Sequence, residues 1–372
     1  MLDRLDINHF TVFKEARFEF CRGLNILIGD NGTGKTHVLK LGYLFCKAWP
    51  GLRQHKLGLS KQRAESYMEE RLAGLFGTSD LAHLISKGHK NGAAIAAQVV
   101  GRVPTAQFHV RGEKLTSAGV EEVMPWALRI KRDKEQRARI EAITIPDVAA
   151  ANSFVPRPTF IPSKEMVSLF KGLIGLFESY RDFPLDETYR DLATAMATLE
   201  PAKPSTLMPD IAARISTLLG GELQLVNGEL VFEHTDGSPL ESQLMAEGHR
   251  KLALLIYLIR NRLIDRGSAL FWDEPEANLN PAAVRLLAEA LHALAGGGVQ
   301  VILATHSLFL LREFEVLAGT NGLQSVPQRY FALGSSKKGV TINTGDEIES
   351  VNPLVLLDED LAQSDRFLGS QK

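Results

Sequence analysis

The run Gly29-Asp30-Asn31-Gly32-Thr33-Gly34-Lys35-Thr36 constrains this chain more than any other feature of its sequence. It fills the pattern GxxxxGK[ST]. In that pattern glycines let successive backbone N–H groups turn toward a phosphate, a lysine brings a point charge, and a hydroxyl reaches a divalent cation. Such a loop needs a buried strand before it and a helix after it, so that the helix N-terminus faces the anion. Both are written here: Leu24–Ile28 reads as an apolar strand, and Lys35–Lys47 as a helix closed by Pro50 and Gly51. The expected ligands are ATP and Mg²⁺. The candidate nucleotide-binding residues are Asn31, Gly32, Thr33, Gly34, Lys35, Thr36 and His37, with Thr36 also a candidate Mg²⁺ ligand and Lys35 a candidate catalytic charge.

Two later strands carry matching chemistry. Ala269-Leu270-Phe271-Trp272 is apolar and ends in Asp273-Glu274-Pro275. In a P-loop enzyme the first acid, Asp273, serves as the candidate metal ligand, and the second, Glu274, as the candidate base that polarises water. The next apolar strand, 299–304, ends in Thr305-His306-Ser307, where a histidine can reach a terminal phosphate. Between loop and acids lies Met245-Ala246-Glu247-Gly248-His249-Arg250, which opens an apolar helix whose free N–H groups can meet an anion. An acidic triplet, a lone histidine or a glycine-led helix is a weak signal by itself. Their order along one chain gives them weight.

That order resembles the ABC ATPase superfamily, in the branch that holds the RecF, SMC and OLD proteins. The resemblance covers about 1–48 and 240–310, and the opening FTVFKEARFEFCRGLNILIGDNGTGKT takes part in it. It makes GDNGTGKT the Walker A motif, ALFWDE Walker B, MAEGHR the signature, PEANLNP the D-loop and His306 the switch histidine. Ala246, Gly248 and Asn280 then become candidate contacts to nucleotide across a dimer. The signature departs from the family pattern: Ala246 stands in the place of its serine and Glu247 in that of its next glycine. No Q-loop glutamine is evident. Gln98 and Gln107 sit in strands, and FIPSKEM (160–166) is the candidate for that region.

The implied fold class is α/β: an ABC-ATPase-like P-loop core with a mainly parallel sheet, N-terminal antiparallel strands and an inserted α+β lobe. The expected boundaries are 1–90 with 220–345 for the core, 91–219 for the insertion and 346–372 for the tail. Leu2–Ile7 and Ala16–Phe20 read as the antiparallel strands. Residues 59–75 form a charged helical pattern expected to run to Ser86. Residues 126–145 read either as a hairpin turning near Asp133 or as a short charged helix. The stretch 164–219 is helical in pattern, and 222–234 is a hairpin turning on Asn227-Gly228.

A net charge of −2 gives no support for nucleic-acid binding as a property of the whole protein. The basic stretch Arg129–Arg139 reads first as a solvated face, with nucleic acid a minority partner. Two cysteines without CxxC spacing fit a reducing cytoplasm. No apolar leader and no membrane-spanning run is present in the sequence. A base-reading NKxD motif is missing, which disfavours a GTPase. OLD proteins continue into a Toprim nuclease, and Asp358-Glu359-Asp360 spells its acidic pair in a tail too short for that fold. An ATPase without that nuclease resembles the stand-alone subunits of Septu-type or PARIS-type anti-phage modules. The expectation is thus an ATP-hydrolysing homodimer that controls a separate effector, a nuclease being one candidate. The alternative is a RecF/SMC-like DNA-repair ATPase.

Overall fold

A computed structural model describes residues 1–54, 60–89, 92–103, 108–110, 113–115, 120–133, 135, 137–146, 158–180, 183–197, 205, 207–319, 326–336, 339–353 and 355–369. Its strands are β1 (Leu2–Phe10), β2 (Phe13–Glu19), β3 (Leu24–Gly29), β4 (Ala93–Val103), β5 (Phe108–Val110), β6 (Glu113–Leu115), β7 (Val120–Arg132), β8 (Ala138–Thr144), β9 (Thr159–Ile161), β10 (Gly221–Val226), β11 (Glu229–His234), β12 (Pro239–Glu241), β13 (Ala269–Asp273), β14 (Gln300–Ala304), β15 (Gln328–Ser336) and β16 (Gly339–Gly345). The helices are α1 (Lys35–Gln54), α2 (Lys61–Phe76), α3 (Leu173–Ser179), α4 (Glu187–Met196), α5 (Pro209–Leu219), α6 (Glu247–Arg260), α7 (Pro281–Gly296), α8 (Leu308–Gly319) and α9 (Val355–Gly369).

The chain divides into two compact units, 1–20 with 40–158 and 21–39 with 159–372. The boundary passes through α1. In the first unit β2-β1-β4-β7-β8 form one antiparallel sheet. Here the structure departs from the boundaries drawn on the sequence. The strands expected in a separate insertion pair directly with the N-terminal ones, Leu5 opposite Ala97 and Ile7 opposite Ile95. One sheet face buries Leu5, Ile7, Ile95, Trp126 and Leu128, so strands far apart in sequence share a single apolar layer. Between 126 and 145 the hairpin is the observed form. Asp133 ties its turn, accepting from the N–H groups of Glu135 (2.9 Å) and Arg137 (3.0 Å).

The second unit holds the sheet β16-β15-β3-β14-β13-β9, parallel throughout except for β16. Its inner strands β3, β13 and β14 are buried at every residue, as strands covered on both faces must be. The short strand 159–161, assigned by its sequence neighbours to the insertion, belongs here beside β13. The core gathers Ile26, Trp272 and Leu303 from the sheet with Leu255 of α6, Leu287 and Leu291 of α7 and Phe314 of α8. The 221–234 hairpin turns as expected, with Asn227 at φ 51° and Gly228 at φ 82°.

Two helix ends differ from the sequence reading. α1 runs through Pro50 to Gln54. Proline removes one N–H from the ladder, yet buried Trp49 and Leu52 hold the last turn in place. The Trp49 ring also meets that of Trp126 edge-on at 6.3 Å. α2 stops at Phe76, where the Gly77 N–H bonds back to the Ala73 and Gly74 carbonyls. Beyond it Asp80 caps a short 3-10 turn (Leu81–Leu84), accepting from the Ala82 N–H.

Candidate active site

Three parallel strands of the second unit end together, and the sequence-predicted residues hang from those ends. The loop after β3 begins at Gly29, whose φ is +141° and where a Cβ would lie 2.2 Å from the Leu333 carbonyl oxygen. Only glycine lets β3 approach β15 there and leave the sheet in that direction. Gly32 and Gly34 follow at φ +80° and +92°, and a Cβ added at Gly32 would meet nothing within 4 Å. Thr33 steadies the loop, its hydroxyl donating to the Asp30 carbonyl at 2.8 Å. Asn31 is exposed, and His37 sits half-buried in the first turn of α1. The result is a cradle of backbone N–H groups at a helix N-terminus, open on one side.

Lys35 is buried, and its ammonium donates to the carbonyls of Gly29 (2.7 Å) and Asp30 (2.9 Å). Burial is the main cause that pushes its pKa down to about 8; Asp273, Glu274 and Asp30 pull the other way. A cation desolvated in this manner has a strong appetite for an incoming anion. The Thr36 hydroxyl donates to Asp273 Oδ2 at 2.8 Å, so the hydroxyl of Walker A and the first acid of Walker B face each other directly. This pair of hard oxygen donors fits Mg²⁺.

Glu274 is a non-glycine residue at φ +50°. Its backbone is pinned on both sides: its N–H donates to Ala304 at 2.9 Å, and its carbonyl accepts from Lys251 Nζ of α6 at 3.2 Å. Such strain persists only where surrounding bonds impose it, and it commonly marks a working site. His306 Nε2 lies 4.0 Å from Glu274 Oε1. Burial, then Lys35, holds the imidazole below its ordinary pKa, favouring the neutral ring. Lys35, Thr36, Asp273, Glu274 and His306 thus lie together at the strand ends.

The signature residues stand differently. Ala246 is the exposed N-cap of α6 and supplies no side-chain capping bond. Gly248 is buried under its own chain, since a Cβ there would lie 2.7 Å from the Asn278 carbonyl oxygen and 2.9 Å from Leu279. Asn280 caps α7, accepting from the Ala283 N–H at 2.9 Å. Of the Q-loop candidates, Gln98 lies in β4 of the first unit, and Gln107 falls outside the described residues. Pairing of Ile161 with Trp272 instead brings Pro162-Ser163-Lys164 to the sheet edge beside Asp273. The Tyr189 phenol bonds to Ser163 and to the Lys164 backbone, and burial pushes its pKa up to about 12.

Sequence reasoning missed Glu165, Lys251 and Glu276. Glu165 pairs with Arg250 at 3.1 Å, joining the 162–168 segment to α6. Lys251 carried a signal, since it is a charge on the apolar run that starts α6 and is buried there. Glu276 accepts from the Thr305 hydroxyl (2.7 Å) and the His306 N–H (3.0 Å), and nothing in its spacing announced this. Asp358-Glu359-Asp360 lies on α9, where Glu359 and Asp360 are exposed and Asp360 pairs with Arg312 at 3.6 Å. No helix of the described residues is long and apolar enough to cross a membrane.

Solved structures with a similar fold are known. An SMC head bound to the C-winged helix domain of ScpA covers 94% of this chain and 99% of its own, with a TM-score of 0.54 at 14% identity. An Smc head with an extended coiled coil, bound to the C-terminal domain of ScpA derived from Pyrococcus furiosus, covers 98% and 99% with a TM-score of 0.50 at 13% identity. The fold is therefore that of an SMC head. Residues 173–312 match the family described as AAA domain, putative AbiEii toxin, Type IV TA system. The DNA replication and repair protein RecF of Actinobacillus succinogenes is 31% identical over 111 residues, 23% of this chain and 31% of that protein. RecF of Streptococcus suis is 40% identical over 43 residues, 12% of each chain. The chain thus matches less than a third of the length of these relatives. The chain is similar to SMC heads in fold and, over these short stretches, to RecF in sequence.

Proposed function

We propose that this chain binds and hydrolyses Mg-ATP as a nucleotide-sandwiched homodimer, and that it is the sensor subunit controlling a separate effector, such as a nuclease, in an anti-phage defence complex. The observation that carries the ATPase reading is the meeting of Thr36 with Asp273 at 2.8 Å, with Lys35, Glu274 and His306 at the same sheet edge. Thr36 and Asp273 would hold Mg²⁺, which would supply charge to offset that on the phosphate oxygens. Lys35 leaves its carbonyl partners for the phosphates. Glu274 accepts a proton from the attacking water, and neutral His306 offers a hydrogen bond beside it. The uncapped N-terminus of α6 would meet an anion from a second copy through its backbone N–H groups, with the Glu247 carboxylate opposing it in the first turn.

The family model spanning 173–312 supports a role in a two-component module, while local identity to RecF favours the second reading, a DNA-repair ATPase. DNA-stimulated hydrolysis supports the second reading and its absence the first. The ATPase assignment itself is tested by Lys35→Ala. Loss of that charge should abolish binding of a labelled ATP analogue and lower hydrolysis by roughly a thousandfold or more. Affinity equal to wild type would falsify the assignment.

A further inference from the structure

The turn after Walker B carries a second carboxylate, and its bonds do not serve its own turn. Glu276 Oε1 accepts from Thr305 Oγ1 at 2.7 Å and from the His306 N–H at 3.0 Å, both in the turn that leaves β14. Thr305 is wholly buried and forms a junction: its N–H donates to Leu27 of β3 at 3.1 Å, and its Oγ1 also accepts from the Ser307 N–H at 3.0 Å. Neighbouring elements have their own caps, since Asn280 begins α7 and Ser307 Oγ accepts from the Leu310 N–H of α8 at 3.1 Å. Glu276 is therefore free of any helix-capping duty.

The second oxygen is costly. Glu276 Oε2 is buried without a hydrogen-bond partner, and an ionised carboxylate held this way is a net liability to folding. Burial holds the Lys251 ammonium below its ordinary pKa, and Glu276 is the carboxylate that most opposes this. That same ammonium donates to the Glu274 carbonyl at 3.2 Å. One carboxylate thus reaches the turn bearing His306 directly and the lysine that pins Glu274 through charge.

We propose that Glu276 is the positioning residue of this site, fixing the Thr305–His306 turn so that the imidazole is held beside the Glu274 carboxylate. The inference rests on the ATPase reading and deepens it. Glu276 touches no reacting atom; it acts through His306. A misplaced catalytic group loses rate through geometry while substrate binding persists.

The test is steady-state hydrolysis of ATP with Mg²⁺ by Glu276→Ala, Glu276→Gln and Thr305→Val, each alone and combined with His306→Ala. Glu276→Ala should lower kcat on the order of tenfold to a hundredfold with KM nearly unchanged. Glu276→Gln should keep most of the rate, because its amide oxygen accepts both bonds. In the His306→Ala background the further loss from Glu276→Ala should vanish, the coupling expected of groups that act as one unit. Should Glu276→Ala not fold, Thr305→Val isosterically removes one of the two Glu276 bonds together with the acceptor of the Ser307 N–H; it should lower kcat severalfold and be absorbed in the same way. The inference is overturned by a wild-type kcat in Glu276→Ala or in His306→Ala. It is overturned equally by losses that multiply in the double variant, or by a glutamine variant as slow as the alanine one. Lys35→Ala, run beside them, separates the two readings. Activity that survives it sinks the ATPase assignment, whereas a dead Lys35→Ala with a wild-type Glu276→Ala sinks only the positioning role.

Discussion

Two helix N-termini in the second unit are built to opposite plans. α1 is preceded by a loop whose glycines turn the backbone N–H groups outward, with a buried lysine behind them and open space before Gly32. α6 begins at an exposed alanine that caps nothing, and its glycine is closed off by the Asn278–Leu279 turn. The first end is complete within one chain, because cation, hydroxyl and paired acid already converge on it. The second has no side-chain cap, and the Glu247 carboxylate stands in its first turn, held by Asn278 Nδ2 at 2.7 Å. Two of its basic residues face inward, Lys251 to Glu274 and Arg250 to Glu165. In this chain α6 is tied to Walker B more firmly than it is equipped to grip a ligand.

The largest expected effect on that contrast is at Walker B. Glu274→Gln keeps the shape of the side chain and loses its basicity, so hydrolysis should fall by roughly a hundredfold to ten-thousandfold while Mg-ATP still binds. Light scattering should then show a longer-lived ATP-bound dimer. Unchanged turnover removes Glu274 from its proposed role. A smaller effect follows from Gly248→Ala. Its Cβ would press on the Asn278 carbonyl at 2.7 Å, so the variant should lose about 1–3 kcal/mol of stability, read by denaturant melts. For the same reason Gly248→Asp is no clean electrostatic probe of a partner's nucleotide, because any side chain there displaces the 278–279 turn first. A Gly248→Ala protein of wild-type stability would show that this end of α6 is open after all.

A control comes from the first unit. Asp80 accepts from the N–H groups of Ala82 (2.8 Å) and Ala138 (3.2 Å), and these bonds hold its carboxyl below the usual value. A carboxyl depressed in the folded state contributes stability above its unfolded pKa and loses it as pH falls through the folded one. Asp80→Ala should cost about 1–2 kcal/mol near neutral pH, and the gap to wild type should close below about pH 3.8. Specific hydrolysis of the folded variant should be unchanged. A matching loss of turnover would mean that general destabilisation, and not the local plan of α1 and α6, explains the other variants.

What was legible in the sequence was local chemistry. The P-loop spelling, the apolar strand ending in Asp273-Glu274 and the one ending in His306 fix side chains to strand ends, and parallel pairing of β3, β14 and β13 brings those ends together. The 227–228 turn was legible because Asn-Gly states its own backbone angles. Long-range pairing was not. Nothing in AAIAAQVVG says that it joins β1 and not a separate lobe, since an alternating strand records which face is buried and not its neighbour. Pro50 misled because packing of Trp49 and Leu52 outweighs the lost hydrogen bond. Glu276 escaped because its partners are brought to it only by the fold.

The smallest effect sharpens the comparison most. Ala246 sits at φ −59° and ψ 141°, a geometry ready for a capping side chain, and it is exposed. Ala246→Ser adds a hydroxyl that can accept from an unsatisfied N–H in the first turn of α6, so the helix should gain about 0.5–1 kcal/mol in thermal or denaturant melts. That gain follows from helix chemistry alone and appears without nucleotide. If α6 also completes a partner's site, the same hydroxyl is placed to meet a terminal phosphate. The variant should then dimerise at lower protein concentration in ATP and hydrolyse faster per chain in the dilute range, while its affinity as a monomer stays unchanged. A stability gain without any shift in the concentration dependence would mean that the N-terminus of α6 meets no nucleotide. The proposed sandwich would lose its second half, and the P-loop edge would stand as an ATP site complete in one chain.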